Sequence, residues 1–257
     1  MPQTTWPIFV ISLARDNDRR SQIARQLTDA GLDFRFIDAV DGRGGLAPEW
    51  ESQIDRPGTL AKYGYGMSDG EYGCSLSHII VYRKILAEGL PGAVVLEDDA
   101  LLTPHFAEFY RKAAYLGCDL TQLFAYSVRI WRWPGRKVGV GDARSFRLAE
   151  NPFSAVAYCL SHKAADYLLS SSLPVRSRAD WPADLTLIGS RVTIPSLVRH
   201  PPPTASQSHI AEGRKDPRAA GVDFTAGYAK GWRRLITLSS WRRFFLKRFS
   251  RMAHLGY

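Results

Sequence analysis

The chain has 257 residues, 45% of them hydrophobic, enough for one sizeable core or a core with an appendage. No apolar run approaches the ~20 residues that cross a bilayer, and the first ten residues do not read as a signal peptide. The net charge of +9 is concentrated: from Phe224 onward there are eight bases and no acid, and the rest carries 26 bases against 25 acids. A nearly neutral body without a recognisable binding motif argues against nucleic acid as a partner. Cys74, Cys118 and Cys159 match neither a zinc spacing nor a disulfide framework, and are expected to be reduced, buried thiols of a cytoplasmic protein.

Ile8-Phe9-Val10-Ile11-Ser12-Leu13 reads as a buried strand, followed by a helix capped by Asp16 or Asn17, carrying Ile23 and Leu27, and stopped by Gly31. Phe34-Arg35-Phe36-Ile37 gives a second strand. Together they form a βαβ unit, the usual opening of a nucleotide-binding α/β fold. The chain contains neither G-x-G-x-x-G nor a P-loop. Ser12, Leu13, Arg15, Arg19 and Arg20 lie at the end of this first strand or just beyond it, where a nucleotide or its phosphates would be met; each arginine reads equally well as part of a solvated helix face. Residues 44–70, rich in Gly, Pro and polar side chains, show no period and suggest a mobile loop over the site.

Gly70-Glu71-Tyr72-Gly73-Cys74-Ser75-Leu76-Ser77-His78 runs into an amphipathic helix ending near Gly89. Ser75, Ser77 and His78 are placed at its start, where free backbone N–H groups face an anion; His78 also reads as a hydrogen-bonded core histidine. Pro91-Gly92 then leads into Ala93-Val94-Val95-Leu96-Glu97-Asp98-Asp99. A buried strand ending in three carboxylates calls for a cation, because an unpaired buried carboxylate costs several kcal/mol. Carboxylate oxygens suit Mg²⁺ and Mn²⁺, and strand C-termini are where open α/β sheets bind ligands. An acidic, solvated turn is the plainer reading of the same residues.

Three blocks carry a family resemblance: Val10-Ile11-Ser12-Leu13 with Arg19-Arg20, Gly70-Glu71-x-Gly73-Cys74-x-Leu76-Ser77-His78, and Val95-Leu96-Glu97-Asp98-Asp99. In this order and spacing they resemble glycosyltransferase family 25, the lipopolysaccharide-type galactosyltransferases and their collagen-modifying relatives, over about residues 8–200. The resemblance implies a GT-A fold, a Rossmann-like α/β/α sandwich holding a UDP-sugar through Mn²⁺ or Mg²⁺. Glu97-Asp98-Asp99 then stands in the place of the Asp-x-Asp motif, with Asp99 as direct metal ligand, Glu97 on the metal or the ribose, and Asp98 beside the nucleotide sugar.

Beyond the acidic strand, Pro104 to Tyr115 reads as a helix and Leu120 to Ser127 as a strand, and residues 129–136 form a basic, aromatic loop suited to an acceptor glycan or to core packing. Phe153 to Ser161 reads as a strand and Lys163 to Ser170 as a helix. Asp180 and Asp184 resemble the family's second acidic block, where an acid serves as base in inverting transfer. Asp184 is preferred because it leads into an apolar helical run, a place where it also reads as an N-cap. Val198 lies on a last short strand, and His209 matches a late metal-binding histidine or a linker residue.

The chain divides into a GT-A-like domain, residues 1–222, and a basic amphipathic tail, residues 223–257. Leu238, Trp241, Phe245, Phe249 and Met252 fall on one helical face, with Arg243, Lys247 and Arg251 on another. Such a helix suits the anionic cytoplasmic face of the inner membrane, or docking on the protein body. The expectation is a metal-dependent transfer of a hexose, galactose by resemblance, from a UDP-sugar to a lipid-linked lipopolysaccharide or lipooligosaccharide acceptor. A UDP-glucose enzyme, an inactive glycan-binding relative and a two-carboxylate hydrolase are the alternatives.

Overall fold

The computed structural model describes residues 5–201, 246 and 248–254. Strand β1 (Ile8–Ser12) is buried throughout, as its unbroken apolar run requires. Helix α1 (Asn17–Asp29) starts beneath the Asp16 carboxylate, which accepts from the Arg19 amide, and the chain leaves it through Gly31 at φ +62°. Strand β2 (Phe34–Asp38) pairs parallel to β1, completing the expected βαβ unit.

Residues 44–70 are largely helical rather than irregular. Pro48 opens α2 (Pro48–Glu51), and Asp55 caps α3 (Arg56–Tyr63) by accepting from the Gly58 amide at 2.8 Å. These helices are too short to show an apolar period, and Thr59, buried, receives the Tyr72 hydroxyl at 2.9 Å. Helix α4 (Asp69–Ala87) begins with a reciprocal capping box between Ser68 and Glu71. Strand β3 (Gly92–Glu97) follows and pairs parallel to β1 on the side away from β2.

The rest of the chain is β4 (Leu101–Leu102), α5 (Phe106–Arg111), β5 (Leu120–Gln122), β6 (Ser127–Trp131), β7 (Arg136–Lys137), β8 (Arg144–Arg147), β9 (Ala157–Ser161), α6 (His162–Ser172), a 3₁₀ turn (Leu185–Ile188), β10 (Arg191–Ile194), β11 (Val198–Arg199) and β12 (Ser250–His254). Helix α5 is shorter than the expected span. Tyr115 instead packs on Trp6, with ring centroids 4.8 Å apart. The strand expected over Leu120 to Ser127 is two strands, β5 and β6, and the loop expected at 129–136 begins inside β6.

The main sheet has the order β2-β1-β3-β9-β5-β10-β8-β7. All its strands run one way except β9 and β8. Alternation along the strands splits the core into two layers. Phe9, Ile11, Val95 and Tyr158 meet α4 and α6, whereas Ile8, Val10, Val94 and Leu96 meet α1 and α5. Val94, Val95 and Leu96 are fully buried, each contributing about 1.5–3 kcal/mol. That burial fixes the register of β3 and so the position of the acids that follow it.

The tail departs from expectation where it is described. Leu246, Arg248 and Phe249 are helical, but Ser250–His254 is a strand antiparallel to β6. Arg251 and Met252 therefore do not continue a helical face. The edge of β6 explains the change: its N–H and C=O groups need partners, and residues 250–254 satisfy them. The remaining members of the two faces, Leu238, Trp241 and Phe245 on the apolar one and Arg243 and Lys247 on the basic one, lie outside the described residues, as does His209. No helix among the described residues is long and apolar enough to cross a membrane. The three cysteines are free thiols; Cys159 is buried, while Cys74 and Cys118 are only partly so.

Candidate active site

The site forms where β3 ends and the chain turns, with the Ala100 amide donating to the Glu97 carbonyl at 3.1 Å. Glu97 points toward the α4 layer and Asp98 toward the α1 layer, so successive carboxylates meet different partners. Ser12 Oγ donates to Asp98 Oδ2 at 2.7 Å, and Arg19 donates to Asp98 Oδ1 at 3.1 Å and to Asp99 Oδ2 at 3.4 Å. Burial, reinforced by the charge of Asp99, holds Asp98 above the usual carboxylate range against these bonds. Its interactions tie the acidic turn to β1 and α1.

Asp99 has two unlike oxygens. Oδ1 is buried with no hydrogen-bond partner among the described residues. Oδ2 lies 3.3 Å from His200 Nε2. The other His200 nitrogen, Nδ1, is 2.6 Å from the Pro201 carbonyl and 2.8 Å from the Tyr126 hydroxyl. A carbonyl only accepts, so Nδ1 carries a proton. A neutral His200 would then aim a lone pair at a carboxylate, an arrangement that requires a proton or a cation between them. Burial works against the charged imidazole, but the hydrogen bond and charge of Asp99 prevail and raise the His200 pKa.

On the other layer, His78 Nε2 is 3.0 Å from Glu97 Oε1, and His78 Nδ1 is 2.8 Å from the Tyr158 hydroxyl, which is hydrogen-bonded in turn to Tyr82. His78 is thus both a buried core residue and a partner of a site acid. Burial, with the charges of Asp99 and Asp180, pushes Glu97 above the usual range, while His78 pulls the other way. A cavity of about 210 Å³ opens beside Glu97, lined also by Cys74, Tyr126, Arg178 and Asp180. Arg178 is held in its wall by buried Glu71, at 3.0 Å.

The two acids expected to compete for the role of base are separated by the structure. Asp180 lines the cavity, and one of its oxygens accepts from the Ser154 amide at 3.1 Å. Asp184 caps the 3₁₀ turn, accepting from the Thr186 amide at 3.0 Å and the Thr186 hydroxyl at 2.6 Å.

Ser75, Ser77 and His78 are not at a helix N-terminus. The helix begins at Asp69, earlier than expected, so their amides lie within it and offer no anion site. Ser75 Oγ donates to the Ser177 carbonyl at 3.0 Å, and Ser77 Oγ accepts from the Val40 amide at 2.9 Å, both tying loops to α4. Arg20 bonds the Ser12 and Leu13 carbonyls, each at 3.1 Å, and pairs with Asp38, fastening the ends of β1 and β2. Leu13 contributes a backbone acceptor there. Arg15 pairs with Asp41 at the surface. Trp131 stacks on Trp133, which is exposed; neither lines the cavity.

His200 and Tyr126 were not singled out from the sequence. The signal for His200 was present: it directly follows β11 and precedes Pro201, so it leaves a strand end in a fixed direction.

Residues 5–186 match the model of glycosyltransferase family 25 (LPS biosynthesis protein). The chain is 32% identical over 178 residues to a rat protein described as "Probable inactive glycosyltransferase 25 family member 3", covering 64% of this chain and 30% of the rat protein. It is 29% identical over 222 residues to "Lacto-N-neotetraose biosynthesis glycosyltransferase LgtB" of Neisseria meningitidis, covering 82% of this chain and 78% of that one. A zebrafish "Procollagen galactosyltransferase 1" is 34% identical over 99 residues, or 36% of this chain and 16% of its own. The chain thus spans less than a third of the rat relative and most of the neisserial one. With the matched region running from β1 through the acidic turn to the Asp180 loop, the chain belongs to glycosyltransferase family 25.

Proposed function

We propose that this chain is a metal-dependent hexosyltransferase of GT-A type, moving galactose from UDP-galactose to a lipooligosaccharide acceptor with inversion. The observation that carries the metal is the buried Asp99 Oδ1, without a hydrogen-bond partner among the described residues, beside an oxygen that faces His200 Nε2. The carboxylate oxygens suit Mn²⁺ or Mg²⁺, and the histidine nitrogen beside them favours the softer Mn²⁺ of the two. Bound there, the cation supplies Lewis-acid charge to the departing diphosphate. Tyr126 and the Pro201 carbonyl orient the His200 ring by holding its other nitrogen. Arg19 and Ser12 fix Asp98, and through it the turn that carries Asp99.

Asp180 is the better placed of the two acids to take the proton from the attacking hydroxyl, since it lines the cavity with Glu97 and is steadied by the Ser154 amide. Glu97, held by His78, faces the donor. The acceptor class follows the neisserial relative, which is named for lacto-N-neotetraose biosynthesis. The basic stretch ahead of β12, from Lys230 to Arg248, would hold the enzyme on the anionic cytoplasmic face of the membrane, near a lipid-linked acceptor.

The test is UDP release from UDP-galactose and UDP-glucose, with a lactosyl or N-acetylglucosamine-terminated acceptor, in Mn²⁺ and then in chelator. Turnover that needs the metal and prefers UDP-galactose is expected. Intact UDP binding with no turnover of either sugar would place the chain with the inactive members of its family.

A further inference from the structure

Cys74 and His78 are four residues apart on α4, so their side chains leave one helix face together. Glu97 closes a third corner from the end of β3. One donor atom from each, the Cys74 sulfur, a His78 ring nitrogen and a Glu97 carboxylate oxygen, all lie within 4.8 Å of one another. Ligands of a tetrahedral zinc, at bond lengths of about 2.0–2.3 Å, stand about 3.5 Å apart. Small side-chain rotations would therefore close the cluster.

Its surroundings suit a cation. The Tyr158 hydroxyl, 2.8 Å from His78 Nδ1 and bonded onward to Tyr82, accepts or donates as needed. It therefore orients the ring with Nε2 aimed at Glu97 Oε1, 3.0 Å away, and a metal would enter between the two; such outer support is what ligating histidines usually have. Cys74 and Glu97 both line the cavity, so a fourth position opens toward it. Sulfur sets this cluster apart from the oxygen-and-imidazole pair of Asp99 and His200, because thiolate selects zinc over Mn²⁺ or Mg²⁺.

The geometry points to a second metal site, formed by Cys74, His78 and Glu97, that takes zinc and leaves one coordination position open to the cavity. On binding, the Cys74 thiol gives its proton to solvent and the thiolate takes up the ion. Glu97 then becomes a zinc ligand, so zinc occupancy switches transfer off. This last consequence rests on the functional reading above; the site itself does not.

Co²⁺ reports both claims. Titrated into the folded chain carrying Asp99→Asn and His200→Ala, which removes the harder pair, one equivalent of Co²⁺ should give a thiolate-to-cobalt charge-transfer band and intense tetrahedral visible bands. Zn²⁺ should abolish both. The bands should vanish in Cys74→Ser, and Tyr158→Phe should weaken Co²⁺ binding by roughly 10-fold. Should Cys74→Ser fail to fold, protection of Cys74 from alkylation by Zn²⁺, located by mass spectrometry, reads the same contact. A folded protein without the charge-transfer band, or a band that survives Cys74→Ser, overturns the site. In the otherwise unaltered enzyme, micromolar Zn²⁺ should suppress turnover at saturating Mn²⁺. Bands without any measurable turnover would leave the site standing and defeat the functional reading instead.

Discussion

Glu97 and Asp98 are neighbours in sequence and near opposites in environment. Asp98 faces α1, where an arginine and a serine hydroxyl bind it, and its role is to hold the turn. Glu97 faces α4, where its partner is a histidine on a buried tyrosine chain, and an open cavity lies alongside. Asp99 sits between the two with an oxygen left unpartnered. The difference teaches which acids are spent on structure and which remain available. Asp98, with one oxygen on a guanidinium and the other on a hydroxyl, is already compensated, whereas a buried carboxylate with an oxygen left over awaits a ligand.

The comparison is broken or sharpened by substitution. The largest effect is expected at Asp180: Asp180→Asn should lower turnover by roughly 10²–10⁴-fold with UDP affinity little changed. Steady-state kinetics beside a UDP titration separate the two. Asp99→Asn should cost roughly 10²–10³-fold in turnover and also weaken UDP binding in Mn²⁺, with an unchanged circular dichroism spectrum. If Asp99→Asn turned over normally, Asp99 would belong with Asp98 as a structural acid.

The opposite side should answer in stability. Arg19→Ala leaves Asp98 buried without its cation, and urea unfolding should show a loss of about 2–3 kcal/mol, below the full buried-pair cost because Arg19 keeps some solvent contact. Gly73→Ala places a Cβ 2.5 Å from the Val40 carbonyl oxygen, which should cost about 1–3 kcal/mol in the same assay. That close approach of α4 to the loop after β2 explains the second glycine of the Gly70-to-His78 block. The smallest effect belongs to Asp184→Ala, about 1 kcal/mol of capping with turnover nearly intact. A turnover loss there equal to that of Asp180→Asn would return Asp184 to the role of base.

Much of the fold was legible because β1, β3 and α4 are specified locally. Continuous apolar runs marked β1 and β3, and Gly31 and Asp16 marked the ends of α1. The start of α4 was legible too, in Ser68 and Glu71, a capping box that straddles the start of the Gly70-to-His78 block. What local pattern does not show is which distant residues meet. His200 reaches Asp99 only because β11 pairs with β4, just beyond the acidic turn. Asp180 and Asp184 share one short segment, and their separation depends on the Ser154 amide and Thr186. The tail's helical period was sound as a local pattern, yet at residues 250–254 the unpaired edge of β6 prevailed over it.

The central claim is that Asp99 and His200 hold the cation that holds the nucleotide. Calorimetric titration of UDP, with Mn²⁺ and with chelator, into the unaltered chain and into Asp99→Asn tests it most directly. The account predicts that UDP binding needs Mn²⁺ and that Asp99→Asn weakens it by at least about 10-fold. Equal UDP affinity in metal and chelator, or an Asp99→Asn protein that binds UDP as before, would contradict it.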